Sequence, residues 1–198
     1  MASISKNSIR TCIKAEREAL PVEVRVAHSA TIVQRLLQLP ECRDASAVLG
    51  YMNFGSEFAS DLFAAGVLAE GKRLALPKVN RHANQLDLYW VEDFENQLVP
   101  GLWGIREPVV ERCERLETLN EVEFALLPGV AFTRGGARLG YGGGFYDKLL
   151  AGSDAGRERP VLVAAAFALQ IVEQLPQEAT DIKVERIVTE QETIACTA

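Results

Sequence analysis

The first 40 residues carry apolar side chains at helical spacing. Residues 5–20 and 22–39 each repeat aliphatic residues at intervals of three and four, which places them on one face of an α-helix. The second run ends beside Pro40, whose ring disfavours helical backbone at the residue before it. The pattern therefore predicts two consecutive amphipathic helices.

From residue 46 onward, short apolar runs alternate with helical patterns. Strands are predicted at 46–51 and 73–79, and the helix predicted between them, 58–70, ends at Gly71, which gives one β-α-β unit. Further strands are predicted at 86–91, 122–127, 161–167 and 186–189 (the last), with a short helix at 144–150 and a helical turn at 170–174. This alternation predicts an α/β fold of three layers, α/β/α, with a mostly parallel central sheet, in which ligands bind at the carboxyl ends of the strands.

The composition indicates one folded domain. The chain has 198 residues, 48% of them hydrophobic, and a single domain over 1–198 is expected. A net charge of −6 argues against a broad surface for nucleic acid or anionic membrane. The four cysteines are widely spaced and the N-terminus is polar, so a cytoplasmic protein with no membrane partner is expected. The only two histidines, His28 and His82, give little support for a histidine metal site or a Ser-His-Asp triad.

Residues 138–147 carry the strongest chemical signal. They are Arg-Leu-Gly-Tyr-Gly-Gly-Gly-Phe-Tyr-Asp, with four glycines in five positions. Glycine allows the backbone to approach a ligand closely, and consecutive N–H groups can cradle a phosphate. Arg138 adds a planar donor fork, Asp147 a candidate Mg²⁺ ligand, and the aromatic residues a stacking surface. The spacing fits neither the dinucleotide fingerprint nor the P-loop, and a tight turn without a ligand is the alternative.

A stripe of cations follows the first predicted helix. Lys6, Arg10, Lys14 and Arg17 fall within an arc of about 80° on one helix face, beside an apolar stripe that contains Ile9 and Ile13. The stripe can present cations to a ligand. For the helix taken alone, a solvated charged face is the favoured interpretation.

Several motifs together resemble the 5-formyltetrahydrofolate cyclo-ligase family, also called the methenyltetrahydrofolate synthetases. The segment 127–132, Leu-Pro-Gly-Val-Ala-Phe, followed by 138–147, is similar to the family signature, and residues 6–10 resemble its N-terminal Lys-x-x-x-Arg element. Further similarities lie, in order, at Glu57, 76–78, 103–108, Gln170, Pro176, Asp181 and 187–190. No single element is specific, but their order and spacing cover nearly the whole chain.

The resemblance implies a reaction and a fold. The implied enzyme uses ATP and Mg²⁺ to cyclise 5-formyltetrahydrofolate to 5,10-methenyltetrahydrofolate, and it releases ADP and phosphate. The γ-phosphoryl group passes to the formyl oxygen, and N10 then attacks the activated carbon. The implied fold is similar to the sugar-phosphate isomerase and CoA-transferase architecture. A reduced folate is the implied small-molecule partner, and a monomer is the expected assembly, with a dimer left open.

The resemblance also assigns residues to roles. Arg138 and Lys6 are the implied catalytic residues, and Asp147 and Asp181 match the family's Mg²⁺ positions. The implied nucleotide contacts are Lys6, Asn7, Ser8, Ile9, Arg10, Arg138, Leu139, Gly140, Tyr141, Gly142, Gly143, Gly144, Phe145 and Tyr146. The implied folate contacts are Arg10, Met52, Glu57, Trp103, Tyr141, Gly142, Gly143, Gly144 and Phe145. Glu57 would accept hydrogen bonds from the pterin, whereas Met52 and Trp103 suit plain core packing nearly as well.

Two departures and two alternative functions accompany this interpretation. Thr133 stands where bacterial members commonly have aspartate, and Phe145 replaces the first tyrosine of a frequent Tyr-Tyr pair, which keeps a stacking face but loses a hydroxyl. One alternative is another phosphate-binding enzyme on a similar scaffold, such as a sugar-phosphate isomerase or a CoA-transferase relative. The other is a folate- or nucleotide-binding protein without turnover.

Overall fold

The computed structural model describes residues 5–151, 159–178 and 181–196. Helices in these residues are α1 (Lys6–Ala19), α2 (Val22–Gln38), α3 (Pro40–Asp44), α4 (Ser60–Ala69), α5 (Phe94–Gln97) and α6 (Phe145–Ala151). The two predicted N-terminal helices are confirmed. Ser5 caps the first, because its hydroxyl accepts a hydrogen bond from the Ser8 N–H (3.1 Å). No helix in the described ranges is both long and apolar enough to cross a bilayer.

An eight-stranded sheet forms the centre of the molecule. The described strands are β1 (Ala47–Leu49), β2 (Arg73–Asn80), β3 (Gln85–Val91), β4 (Leu98–Pro100), β5 (Arg106–Pro108), β6 (Arg115–Leu116), β7 (Phe124–Leu127), β8 (Ala131–Phe132), β9 (Arg138–Leu139), β10 (Val161–Ala165), β11 (Arg186–Val188) and β12 (Thr193–Ala195). The sheet order is β12-β11-β10-β7-β1-β2-β3-β6, and β4-β5 and β8-β9 are separate antiparallel pairs.

The five strands β11, β10, β7, β1 and β2 run parallel. The remaining strands, β12 at one edge and β3 and β6 at the other side, pair antiparallel. The α/β fold with a mostly parallel sheet is therefore confirmed. Strands β1 and β2 are joined through α4, so the predicted β-α-β unit is also correct.

Alternate residues of the central strands build two cores. Val48, Leu126 and Val163 pack on one face with α2 and α4. Their neighbours Leu49, Leu127 and Ala164 pack on the opposite face with Leu150 of α6. Strands that are buried on both faces need apolar residues throughout, which explains the continuous apolar runs in the sequence.

Some boundaries and small elements differ from the sequence prediction. The predicted turn at 170–174 is instead a 3₁₀ turn at Ala168–Gln170. Residues 186–189 do not form the last strand, because β12 follows and pairs with β11. Residues 92–120, where no helix or strand was predicted, contain α5 and the strands β4, β5 and β6. Strands of two or three residues are too short to show a period, and their pairing depends on partners distant in sequence.

The parallel core supplies a test of stability. Leu126 is fully buried in β7, whereas Leu62 on α4 is 48% exposed. We expect Leu126→Ala to lower the free energy of unfolding by about 2–5 kcal/mol, because it removes buried methylenes and leaves a cavity. Leu62→Ala, the same chemical change at the surface, should alter it by about 0.5 kcal/mol or less. Urea titrations followed by circular dichroism measure both, and equal losses would contradict this account of the core.

Candidate active site

A cavity of about 430 Å³ opens at the carboxyl ends of β1, β2 and β7. This is the end of a parallel sheet at which α/β proteins bind ligands. Its lining comes from both sides of the sheet and from the glycine-rich segment: Tyr51, Met52, Phe54, Glu57, Leu76, Pro77, Val79, Leu86, Trp103, Ile105, Arg106, Glu107, Pro128, Arg138, Gly140, Tyr141, Gly143, Gly144, Phe145, Tyr146 and Asp147. Of the residues predicted to bind folate, only Arg10 and Gly142 are absent from this lining.

One wall of the cavity is apolar and aromatic, and part of it faces solvent. Met52 is only 6% exposed and belongs to the core, so it both packs and lines the cavity. Trp103 is 67% exposed, which excludes the core-packing alternative for that residue. Phe54 and Tyr141 are also exposed at the rim. Exposed aromatic rings around a concave site provide surface for a flat ligand.

The backbone at Trp103 is held in an uncommon conformation. Trp103 has a φ of 58° and Gly104 a φ of 79° in the turn between β4 and β5, which the Gly101 N–H closes by donating to the Ile105 carbonyl (2.7 Å). A left-handed backbone costs a residue with a side chain about 1–2 kcal/mol. Such strain is commonly found at functional sites, and here it presents the indole at the cavity.

Glu57 is the carboxylate of the aromatic wall. Its Oε2 accepts a hydrogen bond from the Phe54 N–H (2.7 Å), and its Oε1 accepts one from the Tyr141 hydroxyl. Burial raises the pKa of Glu57 above its ordinary value, and these two hydrogen bonds partly oppose that effect. Glu57 is therefore a desolvated acceptor whose position is fixed from two sides.

Arg138 also lines the cavity, and its side chain is nearly buried. One terminal nitrogen donates to Asp147 Oδ1 (2.6 Å) and the other to the Pro128 carbonyl (3.2 Å). Its Nε is buried, and no described residue accepts a hydrogen bond from it. A buried donor without a partner is costly, so the position of this guanidinium beside the cavity lowers the stability of the free protein.

The glycine-rich segment folds as a loop between β9 and α6. Gly142 and Gly144 have φ values of 107° and 64°, which residues with side chains rarely adopt. Arg10 Nε donates to the Gly140 carbonyl (2.8 Å), and the Arg10 guanidinium lies beside Gly142. The loop conformation thus depends on glycine within the segment and on α1 outside it.

Three of the four cations in the α1 stripe bond to other segments and do not form a solvated face. Lys6 Nζ donates to Glu178 (2.9 Å) and Asp181 (3.0 Å), while Arg17 donates to Ser56 Oγ and the Tyr141 hydroxyl, both at 3.0 Å. The solvated interpretation is therefore wrong for Lys6, Arg10 and Arg17. Arg17 was not among the predicted site residues, and its place in the stripe was the only signal for it.

Not every predicted contact faces the cavity. Ile9 and Leu139 pack in the same apolar cluster between α1 and the β8-β9 pair, so their side chains do not line the cavity. Asn7 accepts a hydrogen bond from Arg10 (2.7 Å), and Ser8 bonds with the helix cap Ser5. Conversely, Tyr51, Phe54, Arg106 and Glu107 line the cavity without having been predicted to bind a ligand. The 103–108 motif was the sequence signal for Arg106 and Glu107, whereas nothing in the sequence places Tyr51 and Phe54 beside the glycine-rich loop.

The two predicted metal ligands lie close together. Asp147 Oδ1 accepts from Arg138 and, at 3.5 Å, from the Ile182 N–H, which is next in sequence to Asp181. Burial acts to raise the pKa of Asp181, but hydrogen bonds from the Glu178 N–H and Lys6 outweigh it and keep that pKa low. Within the described ranges, no group of three or more histidine, cysteine or carboxylate side chains is arranged to hold a metal. The arrangement is one of two carboxylates, each paired with a cation.

Comparison with known proteins places these features in a family. The family model "5-formyltetrahydrofolate cyclo-ligase family" matches residues 2–190. A solved structure of the Aquifex aeolicus 5,10-methenyltetrahydrofolate synthetase is 34% identical, with a TM-score of 0.83 over 98% of this chain and 94% of that one. The 5-formyltetrahydrofolate cyclo-ligases of Mycolicibacterium smegmatis and Mus musculus are 29% and 27% identical. The alignments cover 96% of this chain in both cases, and 95% and 98% of those proteins.

The match extends over nearly the full length of each protein and includes α1, Asp181 and the glycine-rich loop, the last of which lines the cavity. The chain belongs to the 5-formyltetrahydrofolate cyclo-ligase family.

Proposed function

We propose that this protein is a 5-formyltetrahydrofolate cyclo-ligase that uses ATP and Mg²⁺ to form 5,10-methenyltetrahydrofolate, with release of ADP and phosphate. The observation that carries the proposal is that one cavity combines two kinds of binding surface. Glu57 and the aromatic wall suit a pterin, and Arg138 with the glycine-rich loop suits a phosphate. A reaction that joins a folate to a phosphoryl group needs both in one enclosure.

The folate is proposed to bind at the aromatic wall. Met52, Trp103 and Phe145 offer apolar and aromatic surface, and Glu57 offers an acceptor at its edge. The donor edge of a pterin carries N–H groups, which an ionised carboxylate accepts without needing a proton of its own. Phe145 retains the stacking face that this role requires, so the absence of a tyrosine hydroxyl there is compatible with the proposal.

The triphosphate is proposed to bind between α1 and the glycine-rich loop. Arg10 contacts this loop from α1, Lys6 contacts Asp181 from the same helix, and Arg138 lines the cavity from β9. Cations held in place before the ligand arrives stabilise charge on a transferring phosphoryl group without reorganisation during the reaction. Arg138 and Lys6 are therefore the proposed catalytic residues.

Asp147 and Asp181 fit the requirements for Mg²⁺. In each carboxylate the hydrogen bonds from described residues go to one oxygen, Asp147 Oδ1 and Asp181 Oδ2, and the other oxygen accepts none from them. Two carboxylate oxygens, completed by phosphate oxygens and water, form an ordinary Mg²⁺ shell. When bound, the ion would neutralise charge on the phosphate oxygens.

The proposed chemistry overcomes a poor electrophile. The formyl oxygen attacks the γ-phosphorus, the bond to the ADP oxygen breaks, and the formyl oxygen becomes part of a phosphate leaving group. N10 then bonds to the formyl carbon, the carbon–oxygen bond breaks, phosphate departs and N10 loses its proton. The residues act by position and charge, since the aromatic wall and Glu57 orient the folate while Arg138 and Lys6 offset phosphate charge.

We also propose that the enzyme is a monomeric, single-domain protein of the cytoplasm. One chain supplies all of the cavity residues named above, so the proposed reaction requires no second subunit. The four cysteines are free, and burial raises the pKa of the Cys42 thiol to about 12, which keeps it protonated and unreactive. Free thiols suit a reducing compartment.

The activity itself is the first test. Purified protein incubated with ATP, Mg²⁺ and 5-formyltetrahydrofolate should form the methenyl product, which absorbs in the near ultraviolet. Product should require ATP and yield one ADP per turnover. Phosphate binding without ATP-dependent product would favour the isomerase or transferase alternative, and folate binding without turnover would favour a binding protein.

Arg138→Ala tests the phosphoryl-transfer role. It removes the buried fork and should lower kcat by about 10²-fold or more, because preorganised charge stabilisation of the transition state is typically worth that much. Arg134→Ala is the matched control, since Arg134 lies on the surface and pairs only with Glu192 among described residues. Stopped-time assays of both variants with saturating substrates give the comparison. Near-normal turnover of Arg138→Ala would remove Arg138 from the mechanism.

Gly142→Ala tests the loop conformation. At a φ of 107° a side chain costs about 1–3 kcal/mol, so the loop should shift and the KM for ATP should rise roughly tenfold. Gly135→Ala is the control, because the nearest atom to an added Cβ there is 3.8 Å away. Steady-state kinetics at varied ATP measure the effect, and equal KM values for the two variants would contradict it.

A further inference from the structure

Arg17 is a buried cation whose role is not explained by the nucleotide contacts. It is 2% exposed and lies on α1, beyond Lys6 and Arg10 along the helix. A buried guanidinium is expensive unless its donors are paired. Here Nε donates to Ser56 Oγ and one terminal nitrogen donates to the Tyr141 hydroxyl oxygen, each at 3.0 Å. Both acceptors lie immediately beside Glu57, one in sequence and the other in space.

The direction of these hydrogen bonds is fixed by chemistry. Arginine has donors only, so the Tyr141 oxygen must accept from Arg17. The single hydroxyl proton of Tyr141 is then directed to Glu57 Oε1. With Oε2 occupied by the Phe54 N–H, the carboxylate is oriented from both ends while each oxygen keeps further lone-pair capacity for a ligand.

We propose that Arg17 is a positioning residue for the folate: by holding Ser56 and Tyr141 it fixes the orientation of Glu57 and keeps that carboxylate ready to accept the pterin's donor edge. The proposal rests on the proposed function for the identity of the ligand. Arg17 is too deeply buried to contact the folate itself, so it acts through Tyr141 and Ser56. It therefore determines folate affinity and not phosphoryl transfer.

The charge of Arg17 also bears on the ionisation of Glu57. Among the described residues, Arg17, Tyr51, Tyr141 and Tyr146 interact electrostatically with Glu57, and Arg17 is the cation of this group. Burial raises the pKa of Glu57, and the Arg17 charge opposes that rise. Only the ionised carboxylate accepts donors at both oxygens, so protonation of Glu57 at acid pH should weaken folate binding. Loss of the Arg17 charge should raise the pH at which this weakening occurs.

The experiment measures binding of 5-formyltetrahydrofolate by calorimetry without ATP, and steady-state kinetics across pH. Arg17→Met should raise the folate Kd and KM by about tenfold to a hundredfold, which is the effect of losing one charge-assisted hydrogen bond between Glu57 and the pterin. The KM for ATP should stay within about twofold, since the described contacts of Lys6 and Arg10 are to other residues. The acid limb of kcat/KM for folate should move upward in pH.

Arg17→Lys should partly restore binding and keep the acid limb near its original pH. Lysine retains the charge but cannot donate to Ser56 and Tyr141 with a rigid fork. Tyr141→Phe should also weaken folate binding, and adding Arg17→Met to it should cost less than the sum of the single changes, because both act on one network. If Arg17→Met does not fold, Arg17→Lys and Tyr141→Phe carry the test alone.

Arg35→Met is the matched structural control, because Arg35 on α2 donates to the Gln191 carbonyl (3.1 Å) and does not line the cavity. An Arg17 variant that loses thermal stability but keeps the wild-type folate Kd and acid limb would overturn the proposal. Wild-type protein that binds no folate would instead overturn the proposed function. The two failures are distinct, since the second is read from the wild type alone.

Discussion

Hydrogen bonds from three cations of one helix determine the geometry of the site. Lys6, Arg10 and Arg17 lie on the same face of α1 and reach three separate segments: Asp181 near the C-terminus, Gly140 of the glycine-rich loop, and Ser56 after β1. These segments are distant in sequence, and α1 contacts all three. Lys6 pairs with an opposite charge, whereas Arg10 and Arg17 donate to neutral oxygens, and each contact holds a different segment in place.

The helix can do this because its apolar side is anchored. Ile13 packs with Val130 and Leu139 around the β8-β9 pair, which lies between the end of β7 and the glycine-rich loop. The helix position is thus set by hydrophobic contact, and the row of cations beside it follows. Burial of its apolar side stabilises the docked helix, and the directional hydrogen bonds of its cations fix which residues they contact.

The surroundings of Glu57 and of Arg138 differ in how fully their hydrogen-bonding groups are paired. Around Glu57, the carboxylate already has two donors, and the aromatic rim is partly open to solvent. Around Arg138, a buried donor is left without a described partner, and two glycines adopt conformations that other residues avoid. Both conditions cost stability in the free protein, as expected where binding and catalysis take precedence over packing.

The β-α-β unit, the mostly parallel sheet and the glycine-rich loop could all be predicted from the sequence, because apolar periodicity and glycine clustering are local properties. The ordered motifs likewise indicated the family before any contact was known. Tertiary structure alone decided that Trp103 faces solvent, that β12 follows the predicted last strand, and that Arg17 is buried. A cationic stripe has the same spacing in the sequence whether its side chains face water or protein. What distinguishes the two is the position of Ser56 and Tyr141, 39 and 124 residues away along the chain from Arg17, and only the folded sheet brings them there.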